Sequence, residues 1–182
     1  MTKEVNMTTF DFGNGPVPAH QHSDGGGWVA DSASVADTAY VGPDARVYGN
    51  AKVYGDALVF GNACVFHNAC VSGNAEVFDN ACVYGKAKVF GNALVSNKAR
   101  VFDNAWVSGD AKVYGKARVS GTALVSGYAQ VYDNAWVSGT ALVYGNAQVS
   151  DNAWVSGDAH VSGNDEVAEE DMFIEMNGWH FG

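Results

Sequence analysis

No apolar run among the 182 residues approaches the length needed to cross a bilayer, and the opening MTKEVNMTTFDFGNG lacks the apolar stretch of a secretory signal. The expected location is therefore cytoplasmic, in a host cytosol or a virion assembled there, with no membrane among the partners. Cysteine is scarce: Cys64, Cys70 and Cys82 are odd in number and lack metal-ligand spacing, which argues against a disulfide framework and a zinc site. The centre of the chain also lacks an excess of either charge. Residues 45–162 carry eight acids against nine bases, residues 1–44 six acids and one base, and residues 163–182 six acids and no base. The formal net charge of -10 thus resides in the two ends. A neutral wall counts against a DNA mimic and offers no basic track for nucleic acid. Acidic ends suit a stack whose terminal strand edges must not polymerise.

What the chain does contain is a repeat. Valine stands at every sixth position from Val29 to Val167, twenty-four times without a substitution, insertion or deletion. Alanine stands two residues earlier, twenty-two times from Ala33 to Ala159. A period this strict predicts one short unit stacked on copies of itself. The unit reads Ala-x-Val-x-Gly-Asn, as in Ala51-Lys52-Val53-Tyr54-Gly55. Ala and Val two apart share one side of an extended strand and form a thin core; the intervening residues face out. The next two positions make a corner. From 49 to 163 its first position is Gly fourteen times, Asp four times, and otherwise Asn97 and His67, all types that tolerate positive φ. A helix is excluded, because Val every six residues has no 3.6-residue periodicity.

The pattern resembles the hexapeptide-repeat left-handed parallel β-helices, whose signature appears here as Val53-Tyr54-Gly55-Asp56-Ala57-Leu58. The resemblance implies an all-β, triangular solenoid with three hexapeptides per coil, so about eight coils over residues 29–168, roughly 38 Å long at about 4.8 Å per coil. Residues 1–28 and 169–182 are then non-repeat N- and C-terminal caps. Periodicity alone leaves a two-sided or right-handed winding open. One departure from that family is the residue after Val, here commonly Tyr or Phe. Uninterrupted NAWVSG-like units after Gly26-Gly27-Trp28-Val29 are most similar to uncharacterised repeat proteins of phages and prophages.

Acyltransferases that share this helix usually place a catalytic His and substrate-binding residues on loops extruded from the coils, and no loop interrupts residues 29–167. Gamma-class carbonic anhydrases use three zinc-binding histidines, for which the body has no matching set. His67 reads as a corner residue tolerating positive φ and His160 as a solvated surface residue. No catalytic residue and no cofactor is expected. His20, His22 and Asp24 form a short His-x-His-x-Asp set, the one metal-ligand pattern in the chain, weighed against an ordered cap stiffened by Pro16 and Pro18. Gly25, Gly26 and Gly27 follow, suited to a close backbone approach to a ligand. The aromatic tail, from Met172 to Phe181, reads as a closure for the last coil or a contact with another chain.

The outward face carries the remaining information. After Val the residue is Tyr or Phe at eight of ten positions from 48 to 102 but three of ten from 108 to 162, where Ser replaces it and Trp106, Trp136 and Trp154 stand before Val. One large aromatic therefore fits each outward rung, with a cationic stem lying across it where Arg or Lys precedes Val. At eighteen residues per coil, Tyr48, Phe66, Tyr84 and Phe102 form one ladder that Trp136 and Trp154 continue. A second face carries Phe60, Phe78, Tyr114 and Tyr132. Such ladders stabilise the stack, and they also form a broad apolar patch. The expectation is a non-catalytic binding or structural protein: a homo-oligomer, trimeric by resemblance, with a host protein or a glycan as a further partner. An acyltransferase-like enzyme or small-ligand binder, with its site at a subunit boundary near the N-terminal cap, is the alternative.

Overall fold

The computed structural model describes residues 8–168 and the strand at 173–175. Strands β1 (Thr9–Asp11) and β2 (Pro16–Gln21) precede the repeat, and β3 (Trp28–Ala30) opens it. Strands β4–β26 follow one per hexapeptide, from Ser34–Val35 to Glu166–Val167, and β27 (Phe173–Glu175) closes the series. From β3 to β24 every strand pairs in parallel with the one three further on, so that Val47 faces Val65, Val65 faces Val83 and Val83 faces Val101. Eighteen residues therefore make one coil. This excludes the two-sided winding and gives a parallel β-solenoid of eight coils with three flat sheets. The first face is the sheet through Val47 and Val65, the second runs through Val59 and Val77, and the third through Val53 and Val71.

Each face needs two residues of true strand because the unit is a line of two inward side chains and a bend. Every Val from Val41 to Val155 and every Ala from Ala39 to Ala153 is fully buried in one continuous core. Burying each Val contributes roughly 1.5–3 kcal/mol. The corners are the compensating strain. His67 (φ 60), Asp79, Asn97, Asp103, Asp133 and Asp151 share the left-handed conformation with the corner glycines. Short polar side chains there do more than tolerate the angle. The backbone N–H of Asn97 donates to Asp79 Oδ2 (3.2 Å), that of Gly115 to Asn97 Oδ1 (3.2 Å) and that of Gly121 to Asp103 Oδ2 (3.2 Å). Each supplies an acceptor to the corner one coil above, which glycine cannot do.

The N-terminal cap is a β-hairpin added to the first face. β2 pairs antiparallel with both β1 and β3. Pro18 still accepts the Asp31 N–H through its carbonyl (3.0 Å), one register step beyond Ala19–Ala30, but has no N–H to return the second bond of that pair, and the ladder with β3 ends there. Phe12, Ala19 and Ala30 form a small second core beneath this hairpin. Gly25 and Gly27 lie against the first coil, not a ligand. Gly27 N–H donates to the Val41 carbonyl (2.9 Å) and Val41 N–H to that of Asp24 (3.1 Å), and a Cβ on either glycine would collide with backbone of residues 41–42. At the other end β27 pairs in parallel with Trp154–Ser156 and extends the first face. The rest of the tail, including His180, lies outside the described residues.

Because Ala81 and Val83 are fully buried and Cys82 is not, replacing Ala81 with Leu should cost about 1–3 kcal/mol by overpacking. Val83→Asp should cost more than about 4 kcal/mol, and Cys82→Ser about 1 kcal/mol or less. Thermal unfolding of the three variants tests this; equal shifts would contradict the inward and outward assignment.

Candidate functional site

Stacking at one coil per eighteen residues puts outward rings directly above one another. On the first face the Tyr48 and Phe66 centroids lie 4.9 Å apart with planes 1° from parallel, Phe66–Tyr84 4.9 Å at 8°, and Tyr84–Phe102 5.0 Å at 4°. Phe12 of the N-terminal cap joins below Tyr48 at 4.9 Å. Above Phe102 the ladder changes chemistry. Ser120 and Ser138 replace the rings, and Trp136 and Trp154, each sixteen residues on, donate their indole N–H to those hydroxyls (3.0 and 3.1 Å). The two indoles then stack on each other at 5.1 Å. A serine after one Val and a tryptophan before the next-coil Val are thus two halves of one rung. Arg118 lies 5.8 Å from the Trp136 ring.

All six ladder residues share this face, yet stacking covers most of them. Tyr48, Phe66, Tyr84, Phe102 and Trp136 are half-buried, and only Trp154 is exposed, at 39%. Burial raises the phenol pKa of Tyr48 and Tyr84, so both remain neutral in ordinary buffers. The second face repeats the arrangement with Phe60–Phe78 and Tyr114–Tyr132, and the two tyrosine hydroxyls donate to Gln130 and Gln148. The third face differs. Tyr54 is 45%, Trp106 40% and Tyr144 40% exposed. Rings there alternate with serines up the column, Tyr54, Ser72, Phe90 and Ser108, whereas the first face fills consecutive rungs. That alternation was readable at eighteen-residue spacing and marks surface that the hexapeptide pattern conceals.

Charge is sorted between flats and corners. In residues 45–162 the outward positions beside each Val hold six bases (Arg46, Lys52, Lys88, Arg100, Lys112, Arg118) and one acid, Glu76; the corners hold seven acids and three bases. The wall is neutral only in sum.

Cys64 and Cys82 are register partners on the first face, with Arg46 and Arg100 directly before and after them in the same column. Cys70 lies on the third face, where the Tyr54 hydroxyl meets its sulfur at 3.0 Å. The proton offered by the Cys64 thiol lowers the Cys82 pKa to about 7; burial opposes this and the Arg100 guanidinium assists it. The same sharing, followed by burial, pushes Cys64 up.

His20, His22 and Asp24 are not assembled into a ligand set, and no cluster of three or more metal-ligating side chains occurs among the described residues. His20 Nδ1 meets Asp31 Oδ1 at 2.8 Å, whereas the buried His22 turns Nδ1 to the carbonyl of Asp24 (3.0 Å) and serves the cap. His67 occupies its corner at positive φ and packs edge-on against Phe66 at 4.8 Å. His160 takes an outward, half-buried strand position.

Two measurements check this geometry. Phe102→Ser alone should destabilise by about 1–3 kcal/mol, and adding Arg118→Trp should recover about 1 kcal/mol, because residues 102 and 118 would reproduce the Ser120–Trp136 rung. Additive effects in the double-mutant cycle would refute the two-part rung. Alkylation by iodoacetamide should proceed fastest at Cys82. Its pKa is lowered, so the thiolate forms as pH rises through about 7 and the rate levels off above it. A rate at Cys82 that still climbs at pH 9 would contradict the proton sharing with Cys64.

Comparison with known proteins agrees with this architecture. Residues 129–145 and 147–163 match the family model described as the YdcK beta solenoid repeat. The two matched segments start eighteen residues apart, one coil of the structure. No curated protein and no solved structure matches the chain. The periodicity, the parallel register and the matched repeats together make this chain a parallel β-solenoid repeat protein.

Proposed function

We propose that this β-solenoid is a non-catalytic scaffold that acts by binding, with its rigid aromatic flats as contact surfaces, first of all toward copies of itself. The observation that carries the reading is the sorting of side chains: ring edges and guanidinium or ammonium groups on the flats, carboxylates on the corners. An acidic corner of one copy complements a basic, aromatic flat of another, and a homotrimer closes such corner-to-flat contacts. Binding to a wall already fixed by eight coils orders few side chains, which favours affinity. From residue 29 to 167 the described backbone consists of strands and tight corners, so each flat meets a partner as a plane. A host protein or a glycan bearing anionic groups suits the same flats. A phage or prophage origin, and with it action in a host cytosol or a virion, rests on the likeness of the NAWVSG-type units.

Static light scattering on the native chain should give about three times the 19.1 kDa chain mass. Phe66→Ser combined with Phe102→Ser should lower that mass while the far-ultraviolet spectrum stays native, since the rings lie outside the Val–Ala core. A monomeric native chain, or an unchanged mass in the folded double variant, would remove the first face as the self-contact.

A further inference from the structure

We propose that the third face carries a binding site for a nucleoside monophosphate, whose base occupies a missing rung of the aromatic column at Ser72. The site is independent of the first-face assembly. Tyr54 and Phe90 occupy equivalent positions two coils apart, and Ser72 stands between them. In the filled first-face ladder successive rings lie 4.9 Å apart. Two such steps separate the coils of Tyr54 and Phe90 by about 9.8 Å, so one flat ring placed at Ser72 has the spacing to each neighbour that Phe66 has to Tyr48 and Tyr84.

On the first and second faces such gaps are closed by the chain itself. Ser120 and Ser138 receive Trp136 and Trp154, and Ser96, between the second-face rungs of Phe78 and Tyr114, is only 5% exposed. Ser72 stays half-buried. The residue sixteen positions after it is Lys88, whose Nζ points away to the Trp106 ring at 4.4 Å. The result is an open groove bordered by Tyr54, Ser72, Phe90 and Trp106, with Lys52 and Lys88 on its flank.

Charge selects the ligand. The outward strand positions of the third face hold no acid, while Lys52 and Lys88 rise from the coils on either side of the gap. They stand two residues from the ring column, about 6.6 Å along the strand. A ring with its anion directly attached falls short of that offset. A base joined through a pentose to a phosphate spans it, and the phosphate then lies between two ammonium groups, over the Cys70 sulfur and the Tyr54 hydroxyl that meets it at 3.0 Å. Lys88 leaves the Trp106 ring to reach it, so occupancy should alter the emission of Trp106.

The test uses the whole chain and the four ribonucleoside 5′-monophosphates as probes, read by calorimetry and tryptophan emission. At least one should bind saturably with Kd below about 1 mM, and ribose 5-phosphate should bind more weakly, having no ring to stack. Ser72→Phe completes the column, so it should raise Tm and weaken binding at least about tenfold. Lys52→Gln with Lys88→Gln should weaken the monophosphate and leave adenosine unchanged. Absence of saturable binding by all four probes overturns the proposal, as does a folded Ser72→Phe variant that binds like the native chain. Equal binding of ribose 5-phosphate would also overturn it by showing simple attraction to lysines. None of these outcomes depends on the oligomer mass, which reads the first face.

Discussion

Parallel pairing in strict register at eighteen residues places every side chain directly above its equivalent one coil earlier, at a separation close to 4.9 Å. Most surfaces let neighbours adjust; this one fixes like on like along three columns per face. Rings gain from it because parallel planes at that distance stack. Amides gain too: Asn74 donates to Asn92, and Asn92 to Asp110, in an unbroken line. Charges of one sign lose, and Arg100 directly beneath Arg118 is tolerated where Trp136 follows to accept the second guanidinium. The placement of aromatic, amide and cationic residues along the chain follows from which groups bear stacking on themselves.

The same constraint decides what could be read in the sequence. Val and Ala mark the core because every copy meets the same inward environment, and the corner types mark positive φ because local sterics set them. The first-face ladder and the Cys64–Cys82 column follow once the coil length is known. Contacts that run diagonally were not legible. Trp136 meets Ser120 and Tyr114 meets Gln130 sixteen residues apart, a spacing that neither the six-residue unit nor the eighteen-residue coil displays. Exposure depends on what stands one coil away: Phe66 is half-covered between Tyr48 and Tyr84, whereas Tyr54 has Ser72 above it and stays exposed although its hydroxyl meets Cys70 on the diagonal. Gly25 and Gly27 looked suited to a ligand because the sequence does not reveal that Val41 lies beneath them. Asp and Asn at corners likewise read as tolerant of positive φ, while their acceptor role appears only with the next coil in place.

Division of charge between flats and corners gives the wall a direction that a net count conceals. A partner approaching a flat meets cations and ring edges; one approaching a corner meets backbone and an excess of carboxylates, seven against three lysines in residues 45–162. Sorting at this scale, over a wall that does not bend, yields orientation as well as affinity, because a misaligned partner brings like charges together.

Register also bears on how such a chain changes length. Duplicating or losing eighteen residues adds or removes one storey and leaves every column intact above and below. A hexapeptide insertion is different: the Val–Ala core accepts it without a fault, yet all coils beyond it turn by one third of a revolution. Arginine columns would then continue as leucine columns, and a ladder would end in mid-wall. Core and surface thus obey two reading frames, six and eighteen, and recombination that is silent in the first rewrites the second.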